Sequence, residues 1–117
     1  MENLIFYCPL EYRYSQANEH TLVIGLVHYE QKCGKIAFEF DKIKVQENIY
    51  SHYPKVQFTI IEMYLELIRK KITKNPVEKY WNEIKLKQYL ANYVLTPDDS
   101  ALQFGKITTN IETTNKQ

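Results

Sequence analysis

The sequence predicts an α+β domain, in which one face of an antiparallel sheet packs against two or three helices. Three observations favour this class. Apolar and polar residues alternate over residues 3–14 and 35–41, which is typical of half-buried strands. Residues 55–74 instead carry apolar side chains at helical spacing. The segments follow one another in the order β-β-β-α-α-β, and strands segregated from helices along a chain are typical of α+β domains.

The first three strands are predicted to form an antiparallel meander, because only short polar turns separate them. The first strand covers residues 3–14. Pro9 lies within it and favours a sheet edge or a bulge at that point, because proline has no N–H to donate to a neighbouring strand.

The second strand covers residues 20–29, HTLVIGLVHY, which are apolar on both faces. That composition indicates a central strand covered on both sides, with Leu22, Ile24 and Leu26 sharing one face. The polar turn EQKCG follows, and the third strand covers residues 35–41.

Helices are predicted from residue 42 onwards. Residues 42–54 fit either a short helix or an irregular connection. Residues 55–74 form a long helix, and Asn75 followed by Pro76 provides an N-cap and a first helical position for the next. The apolar residues after Pro76 form two stripes on nearly opposite sides, so that helix is either buried between two layers or broken. We favour a break or kink near residue 85.

Residues 101–108 predict a final strand that adds to the meander, and residues 111–117 predict a flexible tail. Residues 1–110 are therefore expected to form a single domain, in keeping with a chain of 117 residues. No apolar run approaches the roughly 20 residues that span a bilayer, and the first residues do not resemble a signal peptide. With two cysteines and no export signal, we expect a cytoplasmic protein with free thiols and no membrane association.

The net charge of +1 is unevenly distributed along the chain, since residues 1–41 carry −3 and residues 42–96 carry +5. The basic run RKKITK offers phosphate-binding candidates, which are Arg69, Lys70, Lys71 and Lys74. A dedicated duplex-binding domain usually shows a stronger basic bias, and cations suit the last turn of a helix because of its dipole. Nucleic-acid binding is therefore a disfavoured alternative.

His28 and Cys33 are close in sequence and are the first candidates for a chemical site. Their spacing is not that of structural zinc, which needs four ligands in close pairs. A thiol nucleophile needs a partner base and an activating field, and neither is evident around Cys33 or Cys8. We interpret His28 as part of the sheet core, Cys33 as a turn residue and Cys8 as inert. No metal is expected, and no cofactor either, because no phosphate-binding glycine motif occurs.

A second constellation consists of Glu11, Arg13 and His20, at one end of the first predicted hairpin. A carboxylate, a guanidinium and an imidazole held together can cleave RNA without metal, by proton transfer and phosphate stabilisation. Polar residues around a turn are also the usual composition of a solvated turn. A small metal-independent nuclease is therefore the alternative function.

The ten tyrosines favour a non-enzymatic role in protein binding. Four of them do not all fit the predicted core faces, namely Tyr7, Tyr29, Tyr50 and Tyr53. Exposed aromatic clusters mark partner surfaces, and tyrosine is enriched among residues that dominate binding energy. An open edge of the sheet, provided by the last strand, offers a second way to bind another chain. We expect a protein partner or a homo-oligomer.

Three segments resemble a family of small bacterial proteins, domain of unknown function family 3037. They are the tyrosine-bearing strand FYCPLEYRY, the glycine-containing strand LVIGLVHYE and the late strand ALQFGKITTN, so the resemblance spans about residues 5–110. The chain departs from the family at Val23, where members usually carry asparagine, and at Glu11, where arginine is expected. The genes of this family often neighbour those of HipA-like kinases. The resemblance implies a cytoplasmic accessory protein of a toxin–antitoxin or defence system, with such a kinase as partner.

Overall fold

The computed structural model describes residues 2–13, 21–53, 57–74, 77–95 and 101–113. It confirms an α+β fold, with an open antiparallel sheet of five strands and three helices within those residues. In chain order the elements are β1 (Glu2–Tyr12), β2 (Leu22–Glu30), β3 (Lys35–Glu39), α1 (Lys42–His52), α2 (Phe58–Lys74), α3 (Glu83–Tyr89), a π-helical segment (Leu90–Val94), β4 (Leu102–Phe104) and β5 (Thr108–Thr113). No helix in the described ranges is long and apolar enough to cross a membrane.

The sheet has the strand order β3-β2-β1-β4, and β5 also pairs with β1. The predicted meander of the first three strands is thus confirmed. Because β2 pairs along one side of β1, β4 and β5 lie end to end along its other side. The predicted final strand over residues 101–108 is therefore wrong in extent, since the chain forms two short strands that reach Thr113.

The break between β4 and β5 lies opposite Pro9, which confirms the predicted irregularity there. Leu10 pairs with Phe104 and Tyr7 with Thr108, so the C-terminal segment carries one residue more than β1 between these pairs. Pro9 has no N–H for a regular ladder, and its carbonyl accepts instead from the Gly105 N–H at 2.8 Å. The tail predicted from residue 111 is also corrected, because residues 111–113 belong to β5; residues 114–117 lie outside the described ranges.

A bulge in β2 changes which side chains face the helices. Leu10 pairs with Gly25 and Glu11 pairs with Val23, so Ile24 is an extra residue on β2. One extra residue reverses the alternation of side chains between the two faces. Ile24 is consequently buried in the core, while Val23 is 57% exposed. The prediction that strict alternation continues from Leu22 to Leu26 is therefore wrong.

One face of the sheet packs against the helices and forms a single apolar core. The predicted long helix is confirmed as α2, although it starts at Phe58, since Gln57 is not helical. It contributes a buried stripe, which consists of Phe58, Ile61, Leu65, Ile68 and Ile72. The opposite face, which we call the open face, carries no second layer among the described residues. The prediction that β2 is covered on both sides is thus wrong, although β2 is central in strand order.

The uncertain segment after residue 41 forms helix α1. Its N-terminus is capped by Asp41, whose side chain accepts from the Lys44 N–H at 3.1 Å. Val45 and Ile49 are the buried residues of this helix. Both residues belong to the core cluster. Helix α1 is therefore held against the core by this one apolar pair and not by a long amphipathic stripe.

Helix α3 starts later than the sequence predicted. Its N-cap is Asn82, whose side chain accepts from the Lys85 N–H at 2.9 Å, and residues 77–82 form a loop. Tyr80 in this loop has φ 62, which lies outside the helical region. Asn75 and Pro76, the predicted cap and first helical position, lie outside the described residues. After Tyr89 the helix widens into the π-helical segment. In place of the break or kink predicted near residue 85, the helix starts at Glu83, after the 77–82 loop.

Candidate functional site

Two of the four candidate tyrosines belong to the core. Tyr29 is fully buried and Tyr53 is 8% exposed, with its ring edge-on to that of Tyr12 at 5.5 Å between centroids. The prediction that Tyr29 and Tyr53 lie on a partner surface is therefore wrong. The 77–82 loop contacts Tyr29 and β1 places Tyr12 against Tyr53, and neither long-range contact is visible in local periodicity.

The Tyr29 hydroxyl fastens the 77–82 loop to the sheet. It donates to the Glu78 carbonyl at 2.6 Å and accepts from the Trp81 N–H at 3.1 Å. On the neighbouring hairpin turn, the Gln31 carbonyl accepts from the Tyr80 N–H at 2.7 Å. Burial raises the pKa of Tyr29, against a smaller lowering effect from the Trp81 N–H, so the hydroxyl keeps its proton and remains a donor.

Gly34 ends the same hairpin turn and allows the loop to approach. Its φ is +72, and a Cβ added there would lie 2.7 Å from the Val77 carbonyl oxygen. Any side chain at this position would therefore be strained and would push the 77–82 loop away.

A run of aromatic rings leads from Tyr29 to the surface. Trp81 stacks on Tyr29 at 5.6 Å between ring centroids, Tyr89 follows at 5.1 Å from Trp81, and Tyr93 at 5.8 Å from Tyr89. Tyr93 is 69% exposed. Burial raises the pKa of Tyr89, whose hydroxyl has no hydrogen-bond partner among the described residues. Because the two rings are in contact, we expect Trp81 fluorescence to respond to the packing of Tyr29.

Tyr7 lies on the open face and stacks on His28, with ring centroids 5.7 Å apart and planes 12° apart. The imidazole Nε2 lies 3.6 Å from Glu30 Oε1, and the Cys33 thiol donates to Glu30 Oε2 at 3.5 Å. His28 is thus half-buried on the open face, which corrects its assignment to the core, while Cys33 lies in the exposed turn as predicted. No group of three or more His, Cys, Asp or Glu residues in the described ranges is arranged to hold a metal ion.

A shallow depression on the open face borders β5. Its lining comes from β1, β2 and β5 and consists of Ile5, Tyr7, His28, Glu30, Asn110 and Ile111. Tyr50, the fourth candidate tyrosine, is 42% exposed but lies on α1 against Phe58. The structure therefore does not combine the four tyrosines into one surface, and only Tyr7 borders this depression.

The predicted nuclease residues are only partly described. Arg13 Nη2 donates to Glu11 Oε1 at 3.4 Å, so these two groups are adjacent as expected. His20 lies outside the described residues. The Glu11 carboxylate also lies against Gly105, where an added Cβ would come within 2.8 Å of it. The described part of the constellation is an ion pair beside the β4–β5 connection.

The predicted phosphate-binding cations are partly engaged within the protein. Arg69 makes a two-point contact with Glu66, at 2.7 Å to each carboxylate oxygen. Lys71 donates from Nζ to a carbonyl of the π-helical segment at 3.3 Å. Lys70 is exposed, and the side chain of Lys74 lies outside the described part. Two of the four side chains thus already have partners in the folded chain.

A small cavity of about 90 Å³ lies between the π-helical segment and the strand break, with Cys8, Lys87 and Leu102 among its lining residues. The Cys8 thiol donates to the Gly105 carbonyl at 3.4 Å. Burial, aided by the charge of Glu11 and opposed by that of Lys87, raises the pKa of Cys8 to about 12. The thiolate is therefore scarce at neutral pH, which agrees with an inert Cys8.

The two edges of the sheet differ in chemistry. β3, at one edge, has five residues and ends in exposed Lys35 and Glu39. β5, at the other edge, is uncharged and exposed from Thr108 to Ile111, and Ile111 is 59% exposed. Within the described ranges, β1 is the only strand that pairs with β5.

Natural sheets usually protect their edges with charges, prolines or short strands. The edge of β3 fits this description and the edge of β5 does not. The sequence predicted that the final strand ends at residue 108 and so missed most of this edge. The β-branched run ITTNI at residues 107–111 was the signal that it overlooked.

Comparison of the chain with protein-family models, with curated proteins and with solved structures finds no match. The resemblance to family 3037, and what it implies about partners, stays a prediction.

Proposed function

We propose that the protein is a non-enzymatic protein-binding module, which pairs the open edge of β5 with an extended strand of another chain. The observation that carries this proposal is the unprotected edge from Thr108 to Ile111, which is exposed and free of charge. An edge strand presents backbone N–H and C=O groups that a further strand satisfies.

The open face beside β5 supplies side-chain contacts for such a partner. The depression around Tyr7 and Asn110 borders the strand, so side chains from an added strand reach it on the same face. The Tyr7–His28 stack provides an aromatic surface with polar tips, which suits a partly hydrated interface. Backbone pairing then gives affinity, and this surface gives selectivity.

The resemblance to family 3037 supports an accessory role in a bacterial toxin–antitoxin or defence system. A HipA-like kinase is the candidate partner on that basis. The same resemblance and the free thiols of Cys8 and Cys33 support a cytoplasmic location as part of this proposal.

Site-specific photo-crosslinking tests the proposal. A photoreactive phenylalanine analogue replaces Asn110 in β5 or, as matched control, Lys35 in β3, because both are exposed residues on edge strands. Irradiation in cells should yield a cross-linked protein from position 110 and not from position 35. Equal labelling from both positions, or none from position 110, would contradict pairing at the β5 edge.

A further inference from the structure

The exposed edge is nearly the same when read in either direction. Residues 106–112 are KITTNIE, with Thr109 at the centre. In an antiparallel pair of two such strands centred on Thr109, Ile107 stands opposite Ile111 and Thr108 stands opposite Asn110. A two-fold interface requires this kind of self-complementarity, because the same patch must fit itself.

We propose that the chain paired with β5 is β5 of a second copy, in a two-fold dimer whose axis passes beside Thr109. This inference rests on the proposed function and names the partner at the same edge. Two five-stranded sheets then join into one continuous sheet of ten strands within the described parts of the two copies.

The predicted contacts satisfy each exposed residue of the edge. Thr109 meets its own copy and Thr108 meets Asn110, and both pairs form side-chain hydrogen bonds of the kind found across strands. Ile111 is 59% exposed in the single chain and comes to lie opposite Ile107 of the other copy, which immediately precedes β5 and is itself 7% exposed. Lys106 and Glu112 are each three residues from Thr109 in the sequence. At each end of the strand pair, Lys106 of one copy therefore lies opposite Glu112 of the other.

Neighbouring registers are chemically poorer. Directly opposite residues share a face of the sheet, so the neighbouring two-fold registers are centred on Thr108 or on Asn110. A centre on Thr108 places Lys106 opposite Asn110, and a centre on Asn110 places Thr108 opposite Glu112. Both lose the Ile107–Ile111 pair and the pair of opposite charges, and so forfeit that cross-strand stabilisation. The sequence therefore selects the register centred on Thr109.

Charge at the axis gives a sharp test, because a residue on a two-fold axis always meets itself. Thr109 is exposed at the edge, so Thr109→Lys and Thr109→Glu should each fold and be checked by circular dichroism. Analytical ultracentrifugation from low micromolar to near-millimolar concentration should show a concentration-dependent dimer for the unchanged protein. Each charged variant alone should dimerise at least about tenfold more weakly, since like charges are set opposite one another.

An equimolar mixture of the two charged variants should dimerise again, since lysine then meets glutamate. Thr109→Val, which keeps a β-branched side chain without charge, serves as the control and should still dimerise. A monomer at every concentration, or a dimer that survives in both charged variants alone, would overturn the inference. If position 110 then cross-links to a different protein, the proposed function stands and only the second copy is excluded; if it cross-links to nothing, both fail.

Discussion

The contribution of the Tyr29 hydroxyl can be tested with a single substitution. Tyr29→Phe removes one oxygen atom and leaves the buried ring in place. The Glu78 carbonyl then loses a donor at 2.6 Å, and the Trp81 N–H loses an acceptor at 3.1 Å. Because this hydroxyl joins the 77–82 loop to β2, we expect a loss of stability.

The size of this loss follows from the surroundings of the two groups. A buried backbone group without a partner costs about 1–3 kcal/mol. Glu78 is exposed, so water can replace part of its lost bond, whereas Trp81 is half-buried. We therefore expect a decrease of about 2 kcal/mol in the free energy of unfolding. For a domain of this size that corresponds to a fall of about 8 °C in Tm.

Urea unfolding followed by tryptophan fluorescence measures the effect directly. Trp81 is the single tryptophan, and its ring stacks on Tyr29. Tyr93→Phe is the matched control, because Tyr93 is 69% exposed, and its effect should stay below about 0.5 kcal/mol. The assigned role of the hydroxyl would be refuted by a Tyr29→Phe loss no larger than that of the control.

Three further predictions concern Gly34, Cys8 and the alternative nuclease function. Gly34→Ala should destabilise by at least about 1–2 kcal/mol, measured by urea unfolding, because its φ is +72 and a backbone carbonyl blocks the Cβ; Gly105→Ala, whose Cβ meets only a carboxylate end, should cost less. Folding raises the pKa of Cys8 from 9.0 to about 12. The protonated thiol therefore makes its full contribution to the free energy of unfolding below pH 9. Above that value the unfolded thiol ionises first, so the free energy of unfolding should fall by about 1.4 kcal/mol per pH unit up to about pH 12. Cys8→Ala should lack this component, and identical pH profiles for the two proteins would contradict it. Finally, a nuclease would degrade RNA or DNA in the presence of chelator and lose activity in both Arg13→Ala and His20→Ala; activity that persists in these variants would exclude those residues.

Local patterns in the sequence predicted the fold class and most elements. Alternation located β1 and β3, and helical spacing located α2, because each of these segments has one face against the core. Pro9 also marked the break in the ladder correctly, since a missing N–H is a property of one residue. The predictions failed where the outcome depends on a distant segment. Asn82 caps α3 because the 77–82 loop is held by Tyr29 and Gln31, from another part of the chain.

The candidate site shows the same division. Composition established a tyrosine-rich, mildly charged chain, but only the pairing of strands decides which tyrosines are buried and which edge stays open. Periodicity records that one face of a strand differs from the other, and it contains no information about which strand lies beside it. The sequence by itself therefore determined the first three strands, the long helix and the α+β class. The tertiary structure decided the bulge at Ile24, the burial of Tyr29 and the exposure of β5, because each arises from register between segments far apart in the chain.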